Sequence, residues 1–117
     1  MELKKFKISG KAVEFVNSYR NTSSGFAHDT TMFIDNVRTE QATCHYVNRT
    51  WERYTYQSVM INAVYQLLHS REAYLKDQFK HDKGYSKITK NRQAELDKVY
   101  KLDPEIKFAN KLIIALR

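Results

Sequence analysis

The sequence predicts an α+β fold: a short N-terminal helix, an antiparallel β-hairpin with room for a third strand, a long amphipathic helix packed on it, and two shorter C-terminal helices. Three observations predict it. Apolar residues recur at helical spacing from Thr55 to His81, and two alternating runs rich in strand-favouring residues precede that segment. With three glycines and one proline in 117 residues, the chain has few sites for repeated tight turns, which argues against a many-stranded sandwich or barrel.

Residues 1–8 read as a short strand or a loose tail, with Phe6 and Ile8 on one side and lysines between. Ser9 reads as an N-cap for "GKAVEFVNSYRN", where Val13, Phe15 or Val16, and Tyr19 fall at helical spacing. The turn-forming "TSSG" of Thr22–Gly25 ends that segment. In "GFAHDTTMFID" the more apolar set, Phe26, His28, Thr30, Met32 and Ile34, is expected to face the core. Asp35–Glu40 supplies a polar reversal, and "QATCHYVNRTW" alternates Ala42, Cys44, Tyr46 against Thr43, His45, Val47, completing the hairpin.

The long helix carries Tyr56, Met60, Ala63, Val64, Leu67, Leu68, Arg71, Leu75 and Phe79 on one face, with Thr55 as N-cap and Gly84 as the C-terminal stop. Thr89 can cap "KNRQAELDKVYKL", expected to bury Ala94 or Leu96, Val99 and Tyr100. Asp103–Pro104 is an N-cap acid followed by proline at the first helical position. The closing helix aligns Ile106, Ala109, Leu112, Ile113 and Leu116. These elements predict one domain over 1–117, with a helix–hairpin–long-helix core over 9–83 and a helical extension over 89–117.

Cys44 is the only cysteine, so no intramolecular disulfide is expected and a reducing compartment fits. The basic N-terminus has no apolar stretch behind it to act as a secretory signal, and no run approaches the roughly 18 apolar residues of a membrane helix. A cytoplasmic location, with no membrane partner, is expected.

The net charge is +7 and is unevenly spread. Lys76, Lys80, Lys83, Lys87, Lys90 and Arg92 are opposed locally only by Asp77 and Asp82. Such a segment attracts phosphates, nucleic acid or anionic protein surfaces over roughly a Debye length of ~8–10 Å, though it also suits a solubilising loop.

The stretch "NRTWERYTYQSVM", Asn48–Met60, joins the second predicted strand to the long helix. One reading makes it structural, with Trp51 and Tyr56 locking hairpin to helix. The other makes Arg49, Trp51, Arg53 and Tyr54 a basic-aromatic surface, a composition that serves both base stacking with phosphate binding and protein hot spots. Together with "SGFAHDTTMFID", this joint resembles a group of small phage and prophage proteins of Gram-positive bacteria, over about residues 11–68. The resemblance implies a mobile-element accessory protein of the kind that blocks host machinery such as CRISPR–Cas complexes. It brings no active site.

Catalytic constellations are not evident in the sequence. Cys44 and His45 point to opposite strand faces, and His28, His69 and His81 share no ligand spacing with them. His45 beside Arg49 lacks the second acid or metal pair of a nuclease. Phosphate-cradling glycine motifs do not occur. Neither enzyme nor cofactor is expected. The expected function is therefore binding to a host protein or nucleoprotein complex in the manner of an anti-CRISPR. Arg49, Arg53, Tyr54, Lys76, Lys80, Lys83, Lys87, Lys90 and Arg92 would carry the contacts. The alternative is stand-alone binding of DNA or RNA in phage replication or transcription, and a third reading is a homodimer formed through Ile113, Ile114 and Leu116.

Overall fold

The computed structural model describes residues 2–47 and 56–117. The described residues form four strands and then three helices: β1 (Glu2–Ile8), β2 (Lys11–Thr22), β3 (Gly25–Ile34), β4 (Val37–Val47), α1 (Tyr56–Lys83), α2 (Lys90–Leu102) and α3 (Pro104–Leu116). The strands make one antiparallel sheet in the order β1-β2-β3-β4. The fold is α+β, but the predicted N-terminal helix is the strand β2, and the predicted hairpin is half of a four-stranded meander.

The reason lies in the turns. Ser9 does not cap a helix: Ser9 and Gly10 both have left-handed backbones (φ 51 and 80°) and link the paired residues Ile8 and Lys11 as a two-residue hairpin turn. Once that turn forms, Val13, Phe15 and Asn17 read with period two, and all three are buried. Asp35 and Asn36 repeat the device (φ 50 and 66°), so pairing resumes at Val37 and the expected loop over Asp35–Glu40 is mostly strand. A bulge at Met32/Phe33 leaves Thr39 to donate its hydroxyl to the Met32 carbonyl at 3.0 Å. The scarcity of glycine therefore did not limit strand number, because serine, aspartate and asparagine took the turn positions.

One sheet face is covered by helices: α1 lies across β3 and β4, and α3 packs on α1 and reaches β1. The inward set on β3 is the expected one, with Phe26, His28, Thr30 and Met32 buried and Ile34 partly so. Phe15 and Met32, both fully buried, each contribute about 1.5–3 kcal/mol of apolar transfer. Asn17 and Thr30 are register partners and solve their burial mutually. The Thr30 hydroxyl donates to Asn17 Oδ1 at 2.6 Å, and Asn17 Nδ2 reaches Met60 Sδ at 3.5 Å, a satisfied polar pair inside an apolar layer.

α1 is 28 residues long, about 42 Å at 1.5 Å per residue. Val59, Met60, Ala63 and Val64 face the sheet core, and Phe79 is buried near the far end. The helix stops as the sequence suggests. Gly84 takes φ +68°, its N–H donates to the His81 carbonyl (3.2 Å), and the Tyr85 N–H donates to that of Lys80 (2.9 Å), closing a Schellman motif.

α2 and α3 run back along α1. In α2 only Leu96 is buried, while Ala94 and Val99, expected in the core, are exposed. In α3 the predicted stripe is buried together with Phe108, and Phe108, Ala109, Leu112, Ile113 and Leu116 join the central core. Of the proposed self-association residues, Ile113 and Leu116 are occupied by that core, which leaves Ile114 exposed. Among the described residues no helix is long and apolar enough to cross a membrane.

Candidate partner-binding surface

The end of α1 and the start of α2 form a corner remote from the sheet. Lys76, Lys80 and Lys83 recur at i, i+4 and i+7 and so share one stripe of α1. Lys87 lies in the connection, and Lys90 and Arg92 open α2. Beneath them sits a small aromatic support. Phe79 meets Tyr85 edge-on at 5.7 Å between centroids, which is the apolar contact a Schellman end favours. The Arg92 guanidinium lies 3.8 Å over the Tyr85 ring and donates to the Lys87 carbonyl at 3.0 Å. Arg92 is thereby fixed as part of the corner's frame, while Lys76, Lys83, Lys87 and Lys90 stand exposed and Lys80 is half-buried.

None of these six cations enters an ion pair found among the described residues. The basic residues of the last α1 turn, Lys80, His81 and Lys83, also sit at the negative end of the helix dipole, which stabilises them there. The corner thus presents lysines outside any ion pair found among the described residues on a two-helix support.

The other predicted site residues, Arg49, Arg53 and Tyr54, lie outside the described residues, as do Trp51 and the proposed N-cap Thr55. The ends of the joint are defined: β4 runs to Val47 and α1 begins at Tyr56. Tyr56 packs on His28, ring centroids 4.7 Å apart, beside the Phe26 and Tyr19 rings that also meet His28. Burial, with smaller contributions from Glu2 and Tyr19, pushes the Tyr56 phenol up. Tyr56 thus packs the start of α1 against β3.

Two clusters were not foreseen. At the meeting of the three helices, Arg71 holds Asp103 with two hydrogen bonds, Nε–Oδ2 at 3.1 Å and NH2–Oδ1 at 2.9 Å, and its Nε also lies 3.2 Å from Glu105. Asp103 Oδ2 accepts from the Ile106 N–H at 3.0 Å, completing the expected N-cap. The Arg71 hydrogen bonds hold the Asp103 carboxyl below the usual carboxylate range against the opposing effect of burial. The available signal was Arg71 itself, a cation within an apolar helix face, which requires a buried acid.

On the sheet face away from the helices, Asp29 accepts from Arg20 at 3.0 Å and from the Thr43 hydroxyl at 2.6 Å. Burial raises this carboxyl, but the two hydrogen bonds and the nearby charges of Arg20 and His45 outweigh it and leave it below its ordinary value. Both clusters are internally satisfied, and they hold structure together. Cys44 is half-buried against the core and accepts from Asn62 Nδ2 at 3.0 Å. Among the described residues no three His, Cys, Asp or Glu side chains come together as a metal site.

No protein-family model, curated protein or solved structure shows a significant match to this chain.

Proposed function

We propose that this protein acts by binding, without catalysis or a cofactor, as a phage or prophage accessory protein in the cytoplasm of a bacterial host. Its target is a host defence complex that handles nucleic acid, and it inhibits that complex in the manner of an anti-CRISPR. The observation that carries this reading is the α1–α2 corner, where Lys76, Lys80, Lys83, Lys87 and Lys90 gather without ion-pair partners among the described residues around the fixed Arg92. Opposite charge on a partner would be steered to such a corner and held there. Arg49, Arg53 and Tyr54 add contacts from the joint, and the likeness to phage proteins supplies the context.

The test is phage plaquing on a Gram-positive host that carries a CRISPR–Cas system directed at that phage. Expression of the protein is expected to restore plaquing, and a variant with Lys76, Lys80, Lys83 and Lys87 changed to Gln is expected to lose the effect while folding normally. Equal activity of the two folded proteins, or no restoration by either across representative CRISPR–Cas types, would overturn the proposal. The lysine-rich make-up of the corner also favours a second reading, stand-alone binding of DNA or RNA, because ammonium groups serve phosphate as point charges.

A further inference from the structure

A second basic surface exists where the tip of the β1–β2 hairpin meets α3. Lys111 Nζ stands 3.4 Å from Ser9 Oγ, across 102 residues of sequence. Lys11 Nζ lies 5.1 Å over the ring of Phe108, and Lys107 is one helical turn before Lys111 on α3. Lys7, beside the same turn in β1, pairs with Ala12 and alternates to the opposite sheet face. Lys11, Lys107 and Lys111 are exposed, and none of them enters an ion pair found among the described residues. Of the acids in the adjoining segments, Glu105 faces Arg71 at 3.2 Å, and Asp35, beside Lys11, is held by the Ala12 N–H at 2.9 Å. Gathering like charges opposes folding, so this cluster is best explained by what it meets outside the chain.

We propose that the hairpin tip and α3 form a second contact surface for the phosphate backbone of a nucleic acid, read without regard to sequence. This rests on the reading that the target handles nucleic acid, and names that nucleic acid as a direct contact. The chemistry favours phosphate over an acidic protein. Protein interfaces draw their energy from Trp, Tyr and Arg and are depleted in Lys, whereas this surface is lysine alone, with its one aromatic, Phe108, buried beneath Lys11. Backbone contacts to nucleic acid need mobile, hydrated point charges on a fixed support, which lysines on a hairpin tip and a packed helix provide.

Fluorescence anisotropy of a labelled, mixed-sequence DNA duplex across about 50–200 mM salt tests this. Three proteins are compared: the wild type, the variant Lys11→Gln/Lys107→Gln/Lys111→Gln, and a control with equal charge loss elsewhere, Lys5→Gln/Lys98→Gln/Lys101→Gln. Circular dichroism verifies each fold, and Lys107→Gln/Lys111→Gln, which leaves Lys11 over Phe108, replaces the triple variant if that fails. The wild type is expected to bind with log affinity falling linearly in log salt. The cluster variant is expected to lose about one unit of slope per lysine engaged, with a smaller loss in the control. Equal losses in variant and control would overturn the inference, since net charge alone would then explain binding. Absence of wild-type binding at the lower salt would overturn it as well, and loss of target-complex binding in the cluster variant would then assign the surface to an acidic protein. Neither result touches the plaquing assay, which judges the inhibitor reading separately.

Discussion

Arg71 and Asp103 join all three helices at one point, and a single substitution there should be felt throughout the helical layer. The Asp103 side chain is 6% exposed and that of Arg71 is 26% exposed. Removing the arginine leaves a buried carboxylate facing only the backbone N–H groups of Ile106 and Glu105. Arg71→Leu is therefore expected to destabilise by about 2–3 kcal/mol in urea unfolding, the lower side of the buried-pair range because Arg71 remains partly solvated. The pair also sets a pH dependence. The folded Asp103 carboxyl titrates below its unfolded value, so its contribution is fully present above about pH 4 and is lost as pH falls through the folded value. Asp103→Asn keeps an N-cap acceptor but removes that titration, so its urea midpoint should decline less steeply under acid than the wild type's. Asp29, also held low, supplies a remaining slope of the same sign. An unchanged acid profile in Asp103→Asn would show the pair to be energetically silent.

Among the elements, β2 shows how a local pattern is overruled. "AVEFVNSY" satisfies helical spacing at Val13, Val16 and Tyr19 and strand spacing at Val13, Phe15 and Asn17, so periodicity cannot decide. The left-handed Ser9–Gly10 turn and a partner strand in β1 decide for the sheet. The α1 terminus shows the opposite case, in which glycine chemistry was sufficient. Gly84 has open space around the position of a Cβ, so Gly84→Ala tests backbone strain alone. It is expected to cost about 1 kcal/mol through the left-handed conformation and, by loosening the Schellman end, to lower the helical protection of Lys80 and Lys83 in hydrogen exchange. A stability equal to that of wild type would mean that the corner re-forms without this cap.

For the whole molecule, the division into a core over 9–83 and an extension over 89–117 does not describe how the apolar layer is built. α3 contributes five residues to the central cluster, Phe108, Ala109, Leu112, Ile113 and Leu116, and Gln57 at the start of α1 donates to the Leu116 carbonyl at 2.5 Å. A chain ending at Lys87 would leave the α1 and sheet residues of that cluster without their α3 partners. It is expected to show no cooperative thermal transition and to bind the dye ANS, whereas a two-state melt of that fragment would show that α3 is dispensable. The antiparallel return of α2 and α3 along α1 also places the two lysine surfaces on one body measuring 49 × 34 × 22 Å.

Sequence alone determined the features whose causes are local: the α+β class, the span of α1 and its Gly84 stop, the Asp103–Pro104 start of α3, and the inward set on β3. It also marked the Lys76–Arg92 segment as basic, because charge density within one stretch needs no fold to be seen. The tertiary structure decided what depends on partners distant in the chain. It made β2 a strand, since strand pairing requires β1 and β3. It placed Asp103 against Arg71, and it brought Lys11 to Lys107 and Lys111. The physical reason is common to all three: a hydrogen-bond ladder, a buried ion pair and a shared patch of charge are properties of two segments at once, and one segment carries only half of each.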